Sequence, residues 1–111
     1  MDNYNWSDSV DCAITVCNAA GVIIYMNNKA QATFAKHGNL IGKNLLDCHN
    51  ENSIRIIKKL LATGGTHTYT IEKKGVKKLI HQSAWKDAEG NVAGLVEFSI
   101  VIPNDAPNFI R

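Results

Sequence analysis

The sequence predicts an α+β domain built on an antiparallel sheet, and three observations carry that reading. Short apolar runs rich in β-branched residues lie toward both ends of the chain, a helical periodicity fills the middle, and glycine-bearing turn motifs join the runs in pairs. With 111 residues, 45% hydrophobic and 20% charged, the chain fits one domain with a real core and is no disordered tail.

Cys12-Ala13-Ile14-Thr15-Val16-Cys17 reads as a strand, Asn18-Ala19-Ala20-Gly21 as a tight turn, and Val22-Ile23-Ile24-Tyr25-Met26 as the returning strand. Neither strand alternates cleanly, so both faces are expected to be covered, the outer one by an amphipathic segment around Tyr4, Trp6 and Val10. After Met26 the period becomes helical. Asn27 can cap, Ala30 and Phe34 lie four apart on one face, and Gly38 stands where a helix would stop. Residues 40–47 read as a loop with a turn or two of helix. From Asn50 a second helix places Ile54, Ile57 and Leu61 on one face and Arg55, Lys58 and Lys59 outward, with Gly64-Gly65 as the stop. Residues 67–73 and 76–85 flank the hairpin turn Lys74-Gly75, and Asp87-Ala88-Glu89-Gly90 precedes a last strand over 91–102. Pro103 and Pro107 end the sheet. Residues 1–11 are thus expected as an N-terminal cap segment, 12–103 as the domain and 104–111 as a tail.

Charge and cysteine usage narrow the function classes. Twelve Lys and Arg against ten Asp and Glu leave +2, too little to make nucleic acid or an anionic membrane the expected partner. Lys73, Lys74, Lys77 and Lys78 cluster around one hairpin turn and read as a solvated, aggregation-resistant edge. No stretch approaches the roughly 20 apolar residues of a membrane span. The polar opening Met1-Asp2-Asn3-Tyr4-Asn5 is unlike a signal peptide, so a cytoplasmic location is expected. Cys12, Cys17 and Cys48 are an odd, sparse set expected to be reduced thiols, and without Cys-x-x-Cys or paired-His spacing no structural zinc is expected.

The order β-β-α-α-β-β-β, with the residues at its joints, resembles a PAS domain. Asn18 to Asn27 resembles the family's turn, apolar strand and Asn, and Asn27-x-x-Ala30 resembles the Asn-x-x-Ala that opens its first core helix. Ile41-Gly42-Lys43-Asn44-Leu45-Leu46-Asp47-Cys48-His49 resembles the run into its central helix, and Asp87-Ala88-Glu89-Gly90 with Gly94 its turn between the last two strands. The resemblance implies a five-stranded antiparallel sheet of order 2-1-5-4-3 with helices packed on one face. It also implies a sensory or protein-interaction module of signal transduction, without catalysis of its own, whose core holds either a small molecule or side chains.

Pocket candidates on this reading are Phe34, Leu45, His49, Ile54, Ile57, Leu61, Trp85, Val96 and Phe98. His49 is the sharpest for a cofactor, because imidazole is a common axial ligand, and a haem-bearing redox or gas sensor is the alternative reading. Haem-binding relatives, however, place their His within the helical region, and residues 53–62 contain none. Flavin photochemistry needs Gly-x-Asn-Cys, and here Leu45 follows Gly42-Lys43-Asn44. Ser53, Ser83 and Ser99 lie in no nucleophile-elbow pattern, Cys48 and His49 are mere sequence neighbours, and no glycine-rich phosphate loop precedes a helix, so no enzyme is expected. Where many signalling relatives end in Asp-Ile-Thr before a coiled-coil linker, this chain has Val101-Ile102-Pro103-Asn104-Asp105. The usual output route to a signalling partner is absent from that position, as in a free-standing protein or an excised domain. A homodimer is expected through the N-terminal segment and the outer sheet face, where Ile23, Tyr25, Leu95 and Val101 are read as outward.

Overall fold

The computed structural model describes residues 5–111, with the side chain of Cys48 excepted. Tyr4, expected in the covering segment, lies outside the described residues. A short α1 (Trp6–Ser9) precedes β1 (Ala13–Asn18) and β2 (Ile23–Met26), followed by α2 (Asn28–Thr33) and a 3-10 turn at Ala35–His37. A second 3-10 turn at Leu45–Cys48 leads into α3 (Glu51–Thr63), and β3 (Thr66–Lys73), β4 (Val76–Lys86) and β5 (Val92–Ile102) complete the chain. The five strands form one antiparallel sheet in the order β2-β1-β5-β4-β3, as expected.

Local chemistry explains the joints. Asn18 Oδ1 accepts from the amides of Ala20 and Val22, closing the β1–β2 turn. Lys74 and Gly75 both take positive φ, 52° and 79°, the mirror-image turn whose twist matches a two-residue hairpin. Asn50 Oδ1 caps α3 by accepting from Ser53 N, and Gly64 ends it in the left-handed region.

Asn27 joins three elements. Buried to 1% exposure, its Oδ1 accepts from Ala30 N and from Ile14 N, and its Nδ2 donates to the carbonyls of Ser7 and Cys12. One side chain thereby caps α2, fixes β1 and ties down the segment that follows α1. The core beneath gathers Ala13, Cys17, Ile23, Met26, Ala30, Leu45, Ile57, Leu60 and Leu95.

Strand parity differs from the sequence reading by one residue in β5. Cys17 and Leu95 are register partners at 1% exposure in the core, so Thr15, Glu97 and Gln82 share the helix-facing side. Val96 and Phe98, expected inward, pair with Val16 and Ile14 on the opposite face. Ile23 and Leu95, expected outward, are core residues, and Val101 falls on the helix-facing parity with Ser99. Tyr25 pairs with Val16 and does face outward. The reason is that β5 carries apolar residues on both parities, so a one-residue slip looks equally hydrophobic, while the charge of Glu97 argues misleadingly for solvent.

On α3 the buried residues are Ile57 and Leu60, with Ile56 and Leu61 packed at the core margin and Ile54 half-buried. Trp6 stays 68% exposed and Val10 38%, so neither covers the sheet.

Candidate functional site

The helical layer does not close completely on the sheet. α2, the two 3-10 turns and the loop between them leave a cavity of about 380 Å³ over β1, β2 and β5. Its apolar wall is Ile23, Met26, Phe34, Leu40 and Leu45, and its polar groups are Thr15 and Glu97 on the sheet with His37, Asp47 and His49 opposite. A second space of about 340 Å³ extends toward β3, sharing Thr15, Phe34 and Glu97 and adding Tyr69, Ile71 and Ile80. Glu97 thus stands in a wall common to both.

Its carboxylate is held in place. Gln82, 3% exposed and directly across the β4–β5 register, donates from Nε2 to Glu97 Oε2 at 2.9 Å. Among the described residues the one ion pair is Lys29–Asp11, so Glu97 has no cationic partner there. Its charge reaches its surroundings: burial first, and Glu97 second, push the Tyr69 phenol above its ordinary value. On the opposite wall His49 Nδ1 donates to the Leu45 carbonyl at 2.8 Å, because that oxygen can only accept, which leaves Nε2 for another partner. Burial in the core, by contrast, pushes the Cys17 thiol above its ordinary value.

Of the sequence candidates, Phe34, Leu45 and His49 line the cavity together. Ile57 is fully buried in the core, and Ile54 and Leu61 sit on α3 outside the cavity wall. Val96 and Phe98 face away from it. Trp85 also lies on the outer parity, where its indole crosses Gly94 and donates from Nε1 to the Cys17 carbonyl at 3.2 Å. Thr15, Gln82 and Glu97 are the residues sequence reasoning missed. Thr15 and Glu97 interrupt largely apolar strands, while Gln82 sits in a polar run between His81 and Ser83, and only the register shows that they meet.

The family that matches is the PAS fold, over residues 7–104. The chain belongs to it. No curated protein matches the chain by sequence. Among solved structures, a C-terminal domain from Streptococcus mutans superposes with a TM-score of 0.68 at 18% identity, over 85% of this chain and 78% of that one. The PAS domain of the histidine kinase ThkA gives 0.67 at 21% identity, over 82% and 99%. A dual PAS-heme oxygen sensor receptor from Vibrio cholerae gives 0.63 at 17% identity, over 83% and 95%. At these identities the likeness is one of fold.

Haem fits this PAS cavity poorly. His49 offers its Nε2, yet the sheet wall of the same cavity presents the Glu97 carboxylate and the Thr15 hydroxyl, groups ill-suited to the apolar surface of a porphyrin. Among the described residues no group of three or more His, Cys, Asp or Glu is placed to hold a metal ion.

Proposed function

We propose that this PAS chain is a signal-transduction sensory module, without catalysis of its own, that takes up a small organic molecule between helices and sheet and works as a homodimer. The observation that carries the reading is the cavity of about 380 Å³ with an apolar wall and a few oriented polar groups, the composition of a small-molecule site. The kinase PAS domain and the oxygen-sensor receptor among its structural neighbours support a sensory role. A cytoplasmic setting belongs to this reading; no helix among the described residues is long and apolar enough to cross a membrane.

Pairing is supported by apolar side chains left exposed at the edges of the outer sheet face and on α1. α1 packs against α2 and meets the sheet at its margin, where Tyr25 Oη bonds Ser7 and Asp8. Ile100 at 39% exposure, Ile24 at 47% and Trp6 at 68% are left in water. A second copy would cover them, and a stable pair would bury roughly 1,200 Å² or more.

Native mass spectrometry of freshly purified protein tests both parts. The expected spectrum shows twice the 12.2 kDa chain mass plus a bound species lost on denaturation. A bare monomer overturns both parts, a ligand-loaded monomer overturns pairing, and a Soret band lost in His49→Ala would replace this reading with the haem sensor.

A further inference from the structure

The polarity of the cavity specifies its ligand more narrowly than its size does. Two carboxylates, Glu97 on the sheet and Asp47 on the 3-10 turn, border the 380 Å³ space, and no lysine or arginine does. Lys73 and Lys78 line the neighbouring space at its far end. On β4, Lys78 stands four residues from Gln82, the partner of Glu97, a separation of roughly 13 Å along an extended strand. Glu97 borders that space too, yet no ion pair joins either lysine to it among the described residues. The half-buried carboxylate is therefore an oriented acceptor with no cation in ion-pair contact among the described residues.

Two further features fix the orientation of that acceptor. Gln82, itself nearly buried, occupies Oε2 and leaves Oε1 for another donor. Thr15, 8% exposed, sits directly across the β1–β5 register from Glu97 and adds a hydroxyl to the same floor. Around them Phe34, Met26, Leu40 and Leu45 form an apolar enclosure. Such a site suits a molecule with one ammonium head and a compact apolar body. A buried head group would gain a charge-assisted bond in a medium of reduced polarity. An anionic ligand would meet two carboxylates, with His37 and His49 the lining groups that could donate to it.

Resting on the sensory-pocket reading above, we infer that the cavity is selective for small amphiphilic amines, with Glu97 as the ammonium-binding group, Gln82 as its positioning residue and the Phe34–Leu45 wall holding the apolar body.

The test is a calorimetric titration of the full chain with three probes of one shape: 2-phenylethylamine, 2-phenylethanol and phenylacetate. The amine is expected to bind and the other two to bind at least about tenfold more weakly, the scale of a charge-assisted hydrogen bond. Glu97→Gln keeps the shape and the contact with Gln82, so its melting curve serves as the folding control, and in it the preference for the amine is expected to vanish. Leu40→Trp fills the rim and is expected to block every probe. Equal binding of the alcohol or the acid, or an unchanged preference in Glu97→Gln, overturns the amine inference; block by Leu40→Trp would then leave the pocket reading standing. Absence of binding by all three probes, with no copurified species in the mass spectrum, overturns both.

Discussion

On the β1–β2 side of the sheet Cys17, Ile23 and Asn27 are 1–2% exposed, whereas on the β3 side Tyr69, Ile71 and the neighbouring Val76 stand at 36–46%. The first region is packed by α2, the Asn27 bonds and a dense apolar cluster, whose members Ile23, Met26 and Leu45 also wall the cavity. In the second, one face of the strands bears Gln82, Glu97 and Tyr69 beside open space. A fold that buried only for stability would have filled that space with aliphatic side chains. The contrast is one of packing: the β1–β2 edge around Cys17 and Asn27 is closed, the β3 edge is open, and the cavity over β1, β2 and β5 lies between them with Glu97 in its wall.

The largest expected effect breaks the closed side. A Cβ at Gly94 would collide with the Cys17 carbonyl and lie 2.5 Å from the Trp85 indole nitrogen. Neither neighbour can yield, since the first is backbone of an adjacent strand and the second is bonded to it. Gly94→Ala is therefore expected to cost about 3 kcal/mol or more, at the upper end for overpacking. Urea denaturation followed by circular dichroism measures it, and a loss under half that size would mean that β1 and β5 are less firmly apposed than the register implies.

Next comes Asn27→Ala, which removes a helix cap and three further hydrogen bonds at a buried position. A loss of about 2–3 kcal/mol is expected. Asn27→Asp keeps the acceptor for Ala30 N and Ile14 N but sets a buried carboxylate oxygen against the Ser7 and Cys12 carbonyls, so it is expected to cost at least as much as Asn27→Ala. Equality with the wild type would show that the tie to the N-terminal segment carries no weight.

The same contrast decides what was legible in the sequence. Elements whose signals are local were readable: Asn27 before a helix, Lys74-Gly75 between strands and Gly64 after α3 each act through a backbone conformation that a few residues determine. Strand order followed from the resemblance those joints carry. The site was readable only on its helical wall, where Phe34, Leu45 and His49 fall near local markers. The sheet wall was misread because polarity normally argues for solvent. Glu97 and Gln82 violate that rule together, each facing inward opposite the other, and only the tertiary register shows the pairing. Val96 and Phe98 then took the places that belong to Leu95 and Glu97.

The smallest expected change in stability sharpens the comparison most. If the polar floor serves binding, the fold should not miss it. Replacing Gln82 alone by Leu strands the Glu97 carboxylate without its donor in a partly apolar wall, at a cost of about 1–2 kcal/mol. Replacing both removes donor and acceptor together and substitutes apolar groups of similar volume, a change that is commonly neutral or stabilising. The double variant Gln82→Leu/Glu97→Leu is thus expected to match the wild type or exceed it by up to about 1 kcal/mol, with binding of 2-phenylethylamine lost. Chemical denaturation of the two variants beside the wild type gives the answer, and the sign of the coupling between the two substitutions matters more than either value. A double variant weakened as much as Asn27→Ala would make Gln82–Glu97 a structural bridge between β4 and β5, and the reading of that pair as a binding floor, apart from the closed packing around Cys17 and Asn27, would fail.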